Sequence, residues 1–532
     1  MAGDESAELR GQTRTGPSWA ARGLLVSCWG IVLIVLAISV YRARHACLTF
    51  DEALSYKFYL RNPFHNLFDY DANNHVLFTL ISYATVSVLG HSPMAIRLPA
   101  LVAGALYLAL IVLISRRLFR GFWLPLCVGL LALNPIILDY LSLARGYGLA
   151  LALFLLALVL AVDWVDILYD PLPAGDDNQP RSAWISVAAA LSVCANLTFA
   201  VPCAALFCVL FFLQLVNRTR SVSYKPVLIR LVVPGAMVGI ALLWPFIPQF
   251  RQTKFYVGET SFLDSVITIA SSSLLYKQTA IVGLGHPLLS SQSVLAEKIA
   301  AAVIVILLFC ILVQLLPILH RLISGRSLAR SQTRFALVAG SLLGSFILQI
   351  ALCGFASFKF PESRTGMYFT PLLTLSVALW ATFSADSPGG SIRRWFLSTL
   401  AVATLVIYLL QLQVSSYHYA RYDADDQTAL QVIRDDVSKI RVTEAGKPAV
   451  RIGGTWLHEP TINFYRECLH DDSIQPFERV DHPLPADYDY FVFHPTDYED
   501  LDVRQLHVLF VGPISGTVVA RVVHPATRPA GQ

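Results

Sequence analysis

Apolar residues gather in long runs between residue 23 and Gln413, then give way to a polar, mixed pattern up to the end of the chain. Crossing a bilayer takes roughly 20 apolar residues. Runs near that length predict spans around 23–41, 98–115, 122–138, 147–163, 183–199, 200–216, 227–248, 299–319, 335–354, 367–383 and 395–413. The segment 75–90 (HVLFTLISYATVSVLG) is apolar but short, and charge decides how it is placed. If it crossed, Arg116, Arg117 and Arg120 would fall on the outer face, against the tendency of basic residues to stay inside. If it lies at the interface or re-enters, the basic clusters at 116–120, 218–220, 321–334 and 393–394 all share the cytoplasmic side. The second arrangement gives about eleven spans. It puts a tail over 1–22 in the cytoplasm, a membrane domain over 23–413 and a soluble domain over 415–532 outside. The first run reads as an uncleaved signal anchor, because Arg42 and Arg44 follow it rather than a small-residue cleavage site.

In the C-terminal region, Leu430, Ile433, Val437 and Ile440 recur at helical spacing and predict a helix over 426–440. Short β-type runs at 449–452, 490–493, 507–511 and 517–522 are bounded by Pro, Gly and Asp. The expected fold class is therefore a polytopic α-helical membrane protein with a C-terminal extracytoplasmic α/β domain. Neither an internal repeat nor a long low-complexity tract is evident.

Composition supports the membrane assignment. Charged residues make up 14% of the 532 positions and hydrophobic residues 55%, with a mean hydropathy of +0.58. A soluble domain carries about 25% charge, so a water-soluble fold of this size is excluded. The net charge of +4, without a Lys/Arg-rich block, gives no sign of a nucleic-acid partner. Nine cysteines are scattered, mostly through apolar runs, and no C-x-x-C pair occurs, so neither a zinc site nor a disulfide framework is indicated. P-loop, Rossmann, HExxH and G-x-S-x-G signatures are absent.

In this topology the loop 42–97, the turn around 139–147, the loop 249–294 and the turn 355–366 share the outer face, and the conspicuous polar residues gather there. Asp51 and Glu52, just beyond the first span, are adjacent carboxylates that suggest a reaction centre or, equally, a capped helix N-terminus. Asn73, Asn74 and His75 can hydrogen-bond a sugar or cap an interfacial helix. Arg145 lies so close to hydrocarbon that it needs a partner or an anionic ligand. Asp139 is a candidate partner, with Tyr140 and Tyr147 as candidate interfacial anchors. Arg364 either snorkels at a span end or holds a phosphate in its fork. Arg251, Lys254 and Lys277 are further cations for an anionic substrate, whereas Asp163 and Asp166 are expected to be solvated at a cytoplasmic span end.

The order of these segments is informative: FDEALSY (50–56), NNHVLF (73–78), RLPALVAGALYLALIVLISRRLFRG (97–121), LARGYGLALALFLLAL (143–158) and ESRTGMYFTPLL (362–373). The chain resembles the polytopic GT-C glycosyltransferases. The likeness is to the dolichyl-phosphate-mannose protein O-mannosyltransferase family and its bacterial relatives, among them the lipid A aminoarabinose transferase. It is best over about 45–220, patchier to about 380 and weak beyond. The resemblance implies a GT-C fold and transfer of a sugar from a polyprenyl monophosphate donor to an acceptor on the outer side. It also implies a reaction centre at the acidic pair, with Asp51 as catalytic base and Glu52 beside it. His75, the Arg145–Tyr147 turn and Arg364 match further family positions. The chain departs from the family in carrying Val76-Leu77 where Pro-Pro is common, and Gly146 where Pro is.

The resulting expectation is a single inverting displacement, with Asp51 deprotonating the acceptor hydroxyl and Arg364 or Arg145 stabilising the leaving phosphate. Asn74, His75, Asp139, Arg145, Tyr147, Lys254 and Arg364 would bind substrate. No cofactor is required in principle, since guanidinium can neutralise a monophosphate, and a divalent metal is left open. The expected partners are the lipid-linked donor, a lipid, glycan or protein acceptor, and the bilayer. The expected location is a bacterial inner membrane. A lipid-linked-sugar transporter or flippase is the alternative reading, and a non-catalytic scaffold a third.

Overall fold

The computed structural model describes residues 19–61, 69–71, 73–169, 179–216, 224–250, 258–274, 288–326, 328–356, 358–383, 390–443, 449–480, 488–494, 497 and 506–523. Its helices are α1 Trp19–His45, α2 Phe50–Ser55 (continued by a π-turn over Tyr56–Leu60), α3 Val76–Leu89, α4 Pro93–Leu118, α5 Trp123–Ala132, α6 Pro135–Tyr140, α7 Gly146–Tyr169 and α8 Gln179–Ala195. There follow α9 Ala200–Val216, α10 Tyr224–Leu243, α11 Ile247–Phe250, α12 Phe262–Leu274, α13 Leu288–Ile323, α14 Arg330–Ala356, α15 Phe369–Phe383 and α16 Gly390–Leu410. The C-terminal domain adds α17 Asp426–Thr443 and α18 Glu459–Leu469.

Among the described residues, eight helical stretches are long and apolar enough to cross a membrane, and the protein is a multi-pass integral membrane protein. Large apolar side chains such as Leu33, Ile306, Phe309 and Leu316 are exposed on the outside of the bundle, where a lipid solvent would cover them. The other three of the eleven expected spans are shorter apolar helices: Trp123–Ala132, Arg181–Ala195 and Phe369–Thr382. The run 122–138 is broken at Asn134-Pro135. The residue before proline is disfavoured in the α region, and Asn134 instead adopts φ −56°, ψ 124° and caps α6 through its side chain. The ambiguous segment forms the 14-residue helix α3.

The ends of the bundle differ. At one end Arg117 pairs with Asp163, and Arg334 pairs with Asp166, its Nε donating to Oδ1 at 2.8 Å. This corrects the expectation that the two aspartates are merely solvated: they clip α4, α7 and α14 together and bring the basic clusters 116–120 and 321–334 to the same end. Asp51, Arg145 and the start of α4 lie at the other end.

The C-terminal domain is a five-stranded mixed sheet in the order β2-β1-β3-β5-β4, with β1 Ile452–Gly454, β2 Glu478–Arg479, β3 Tyr490–Phe493, β4 Leu506–Val511 and β5 Val518–Val522. β1 is parallel to β2 and β3, while β5 is antiparallel to β3 and β4. Leu430, Ile433 and Val437 of α17 are buried with Ile462 and Tyr465 of α18 and with Val492 and Val519 of the sheet. That apolar cluster does not stop at the domain: it continues through Leu48, Ala53, Tyr56, Ile96 and Ala144 of the membrane domain.

Candidate active site

The site is built around the short turn between α1 and α2. Thr49 starts α2 with a capping box, in which its hydroxyl accepts from the Glu52 amide while the Glu52 carboxylate accepts from the Thr49 amide at 2.9 Å. Glu52 is fully buried and paired with the equally buried Arg97 of α4, whose Nη2 lies 2.6 Å from Oε2 and whose Nε lies 2.9 Å from Oε1. Oε1 also accepts from the Ala144 amide at 2.7 Å. The remaining donors of Arg97 reach the carbonyls of Ala43, Ala46 and Cys47 at the end of α1. One buried ion pair thus ties together the end of α1, the start of α2, α4 and the turn before Arg145.

Asp51, one residue earlier, faces a different environment. Its Oδ2 lies 2.6 Å from Nη1 of Arg364, and the two side chains are 17% and 15% exposed. Arg145 approaches from α7's N-terminal turn, donating to Ser55 Oγ at 2.9 Å, to Asn73 Oδ1 at 3.1 Å and to the Asp51 carbonyl at 3.3 Å. Burial pushes the Asp51 carboxyl up, but the guanidiniums of Arg145 and Arg364 and the hydrogen bond from Arg364 outweigh it and hold the group below the usual carboxylate range. The Nε of each arginine is buried and has no acceptor among the described residues. The site therefore has donors in hand for an anion.

Aromatic rings wall this cluster. Arg364 lies over Tyr419 at 5.6 Å, and Tyr147 packs against Tyr140 and against the edge of His75, each at 5.0 Å. His75 is buried: Nδ1 is 3.3 Å from the Asn196 amide nitrogen, and Nε2 has no partner among the described residues. Gly146 is required beside it, since a Cβ there would sit 2.1 Å from the Ala195 carbonyl oxygen and 2.7 Å from the His75 Cβ. Asn74 turns away to donate to the Asp69 carbonyl at 2.8 Å, and it is Asn73 that meets Arg145.

Asp139 is also accounted for within the fold. It pairs with Arg42 at 2.9 Å, both being almost fully buried, and its other oxygen accepts from the Tyr419 amide at 2.7 Å. Arg145 is therefore not its partner, and Asp139 serves instead to pin the linker that carries Tyr417 and Tyr419. Tyr417 is buried with its ring 5.8 Å from Arg42 and 5.4 Å from Arg97. Lys254, Arg251 and Lys277 lie outside the described residues.

Of the residues the sequence singles out, the fold brings Asp51, Arg145, Tyr147, His75 and Arg364 together and leaves Glu52, Asp139 and Asn74 in structural contacts. The sequence reading missed Arg97, Arg42, Tyr417, Tyr419 and Asn196. An arginine inside an apolar run needs a buried partner, and that signal, applied to Arg97, points to one of the few acids nearby. Among the described residues no group of three or more His, Cys, Asp or Glu is arranged to hold a metal ion.

No protein-family model matches the chain, and no curated protein does. Solved structures do resemble it. ArnT from Cupriavidus metallidurans in the apo state is 12% identical, covering 94% of this chain and 98% of that one, with a TM-score of 0.43. The Archaeoglobus fulgidus oligosaccharyltransferase in the apo form is 13% identical over 85% of this chain and 64% of that one, with a TM-score of 0.41. Archaeal oligosaccharyltransferase AglB from Archaeoglobus fulgidus, in complex with an inhibitory peptide and a dolichol-phosphate, is 12% identical over 96% of this chain and 76% of that one, with a TM-score of 0.42.

Proposed function

We propose that this protein is a membrane glycosyltransferase that moves a sugar from a polyprenyl monophosphate to an acceptor hydroxyl at the end of the bundle bearing the C-terminal domain. The observation that carries this reading is the convergence of Arg145 and Arg364 on Asp51, with a buried Nε on each guanidinium that is unpartnered among the described residues. A carboxylate beside two arginines, with spare donors, suits a reaction that needs both a base and a counter-ion for a leaving phosphate.

The pairing also supplies a sequence of events. Without donor, Arg364 holds Asp51 ionised but weakly basic. An arriving phosphate competes for Arg364 and Arg145, because guanidinium binds a monoanionic or dianionic oxyanion in a fork. As Arg364 turns to the phosphate, Asp51 loses its hydrogen-bonded counter-ion and its proton affinity rises toward that of an ordinary base. Asp51 then takes the acceptor hydroxyl proton as that oxygen bonds to the anomeric carbon. The carbon–oxygen bond to phosphate breaks, and the electron pair leaves on the lipid phosphate, with inversion at the anomeric centre.

An apolar cavity of about 440 Å³ lies among α5, α12, α13, α14, α15 and α16 and suits the first part of a lipid tail. Ile269, Leu307, Phe346 and Phe369 are among its walls. Ile269 also borders Gly366, two residues from Arg364, which links the cavity to the cationic head of the site.

The test is transfer from radiolabelled polyprenyl-phosphate sugars by purified protein in nanodiscs, beside the Asp51→Asn variant. Transfer by the wild type and its loss by more than about 100-fold in the variant, with lipid-phosphate binding kept, is the expected result. Full activity in the variant would remove Asp51 as base. Lipid flipping without transfer would favour a transporter.

A further inference from the structure

The turn that presents Asp51 is not held by the membrane domain alone. At a helix start the first amides have no partner within the helix and must find one elsewhere. Around α2, the Thr49 amide goes to the Glu52 carboxylate, the Glu52 amide to the Thr49 hydroxyl and the Ala53 amide to the Thr49 carbonyl. The Leu48 amide instead donates to the hydroxyl of Tyr465 in α18, at 2.8 Å, and the Phe50 amide donates to Oδ2 of Asp423, just before α17. Leu48, Asp423 and Tyr465 are all buried.

Further contacts run along the same seam. Trp456 meets the Phe50 ring edge-on at 5.0 Å, and Phe464 meets Tyr56 at 4.8 Å. Lys57 pairs with Glu459 at 2.8 Å and Arg61 with Glu467 at 2.9 Å. The apolar core of the C-terminal domain is continuous with Leu48, Ala53 and Tyr56, so one core serves both domains along this seam. From this we infer that the C-terminal domain is a positioning element of the active site, in which Tyr465 and Asp423 fix the backbone on either side of Thr49 and so aim Asp51.

Tyr465 and Asp423 touch no reacting atom in this scheme and act through the placement of the base. A displacement of about 1 Å at a reacting group costs on the order of 100-fold in rate. The need at position 423 is for an acceptor oxygen rather than a charge. Burial and the neighbouring Asp426 carboxylate push the Asp423 carboxyl well up, and the Phe50 amide only partly offsets them. Asparagine keeps the oxygen and resembles the protonated acid, whereas leucine keeps the volume and removes the acceptor.

The experiment uses the full chain in nanodiscs with three variants, Asp423→Asn, Asp423→Leu and Tyr465→Phe. Two readouts are taken: hydrogen exchange of the peptide spanning 46–53, and kcat and KM for a polyprenyl-phosphate sugar. The inference rests on the proposed transferase reading only in its kinetic arm. Expected is about fivefold faster exchange at Leu48 or Phe50 in Asp423→Leu and Tyr465→Phe. The same two variants should lose about 10- to 100-fold in kcat with KM within about twofold, and Asp423→Asn should match the wild type in both readouts. Wild-type exchange and kcat in Tyr465→Phe and in Asp423→Leu would overturn it, as would Asp423→Asn being as impaired as Asp423→Leu. If Asp423→Leu does not fold, Tyr465→Phe alone decides. If the wild type transfers nothing, the transferase reading fails, and the exchange readout still decides whether the domain holds the turn.

Discussion

Asp51 and Glu52 are neighbours in sequence but face different surroundings: Asp51 meets the partly exposed Arg364, while Glu52 meets Arg97 where neither is exposed. Successive residues of a helix point about 100° apart, so a two-residue acidic motif at a helix start naturally serves two purposes. Glu52 and Arg97 hold the architecture, and Asp51 is left toward the accessible side.

This division predicts opposite phenotypes for adjacent substitutions. Glu52→Gln leaves Arg97 buried and uncompensated and should lower stability by about 3–5 kcal/mol. Asp51→Asn leaves a partly exposed arginine and should change stability by less than about 1 kcal/mol while removing transfer. Thermal unfolding in detergent, with transfer measured on the same preparations, separates the two. Restoring stability in Glu52→Gln by also replacing Arg97 with Met would confirm that the lost partner, not the lost cap, is the main cost.

A second prediction concerns pH. The Asp51 carboxyl lies below the usual carboxylate range in the free protein, despite burial, because of Arg145 and Arg364. Its contribution to stability is then complete above the unfolded carboxylate pKa of about 3.9 and is lost as pH falls through the lowered folded value. The acid limb of kcat/KM, which reports the free enzyme, should fall on that same lowered value. In Arg364→Gln the limb should move to higher pH, and the residual rate should disappear earlier on acidification. An unmoved limb would detach Arg364 from the ionisation of the base.

How far could these roles be read from the sequence? The spans, the polar end of the bundle and the helix and strands of the C-terminal domain follow hydropathy and spacing: the helix expected over 426–440 is α17 Asp426–Thr443, and the run at 490–493 is β3. Asp51, Arg145 and Arg364 stood out because charge at a span end requires a reason. The partner of each charge did not follow, since Arg42–Asp139 and Arg97–Glu52 join residues 97 and 45 positions apart. The run 449–452 marks the approach to β1, and α18 was not foreseen, because its amphipathic face is completed by contact with α17 and α2. Asn134-Pro135 was the visible signal for the break in 122–138, outweighed by the apolar run around it.

Gly146 gives a steric prediction. A methyl at this position collides with backbone at 2.1 Å and with the His75 side chain, so Gly146→Ala must displace α8's end, His75 or Arg145. The expected result is a loss of about 1–3 kcal/mol in stability, as for overpacking, with a fall in transfer. Gly239→Ala, in a helix where none of the described residues lies within 4 Å of the added carbon, is the control and should be neutral or slightly stabilising. Unfolding midpoints of the two variants in one detergent make the comparison.

The competition for Arg364 can be tested by binding alone. In the free protein Asp51 occupies Nη1 of Arg364 and places a negative charge where the donor phosphate would arrive. Asp51→Asn removes that charge and weakens the hold on Arg364, so polyprenyl monophosphate should bind the inactive variant about 3- to 10-fold more tightly than the wild type, as expected for relief of a partly exposed ion pair. Arg364→Gln should weaken binding by about 10-fold or more, since a charge-assisted fork to phosphate is lost. The difference between the Asp51→Asn variant and the wild type should shrink on acidification through the lowered Asp51 pKa, because the protonated wild type then presents a neutral group as well. Equal affinities for wild type and Asp51→Asn at neutral pH would show that the phosphate and the carboxylate do not share Arg364, and the release of the base by the arriving donor would have to be abandoned.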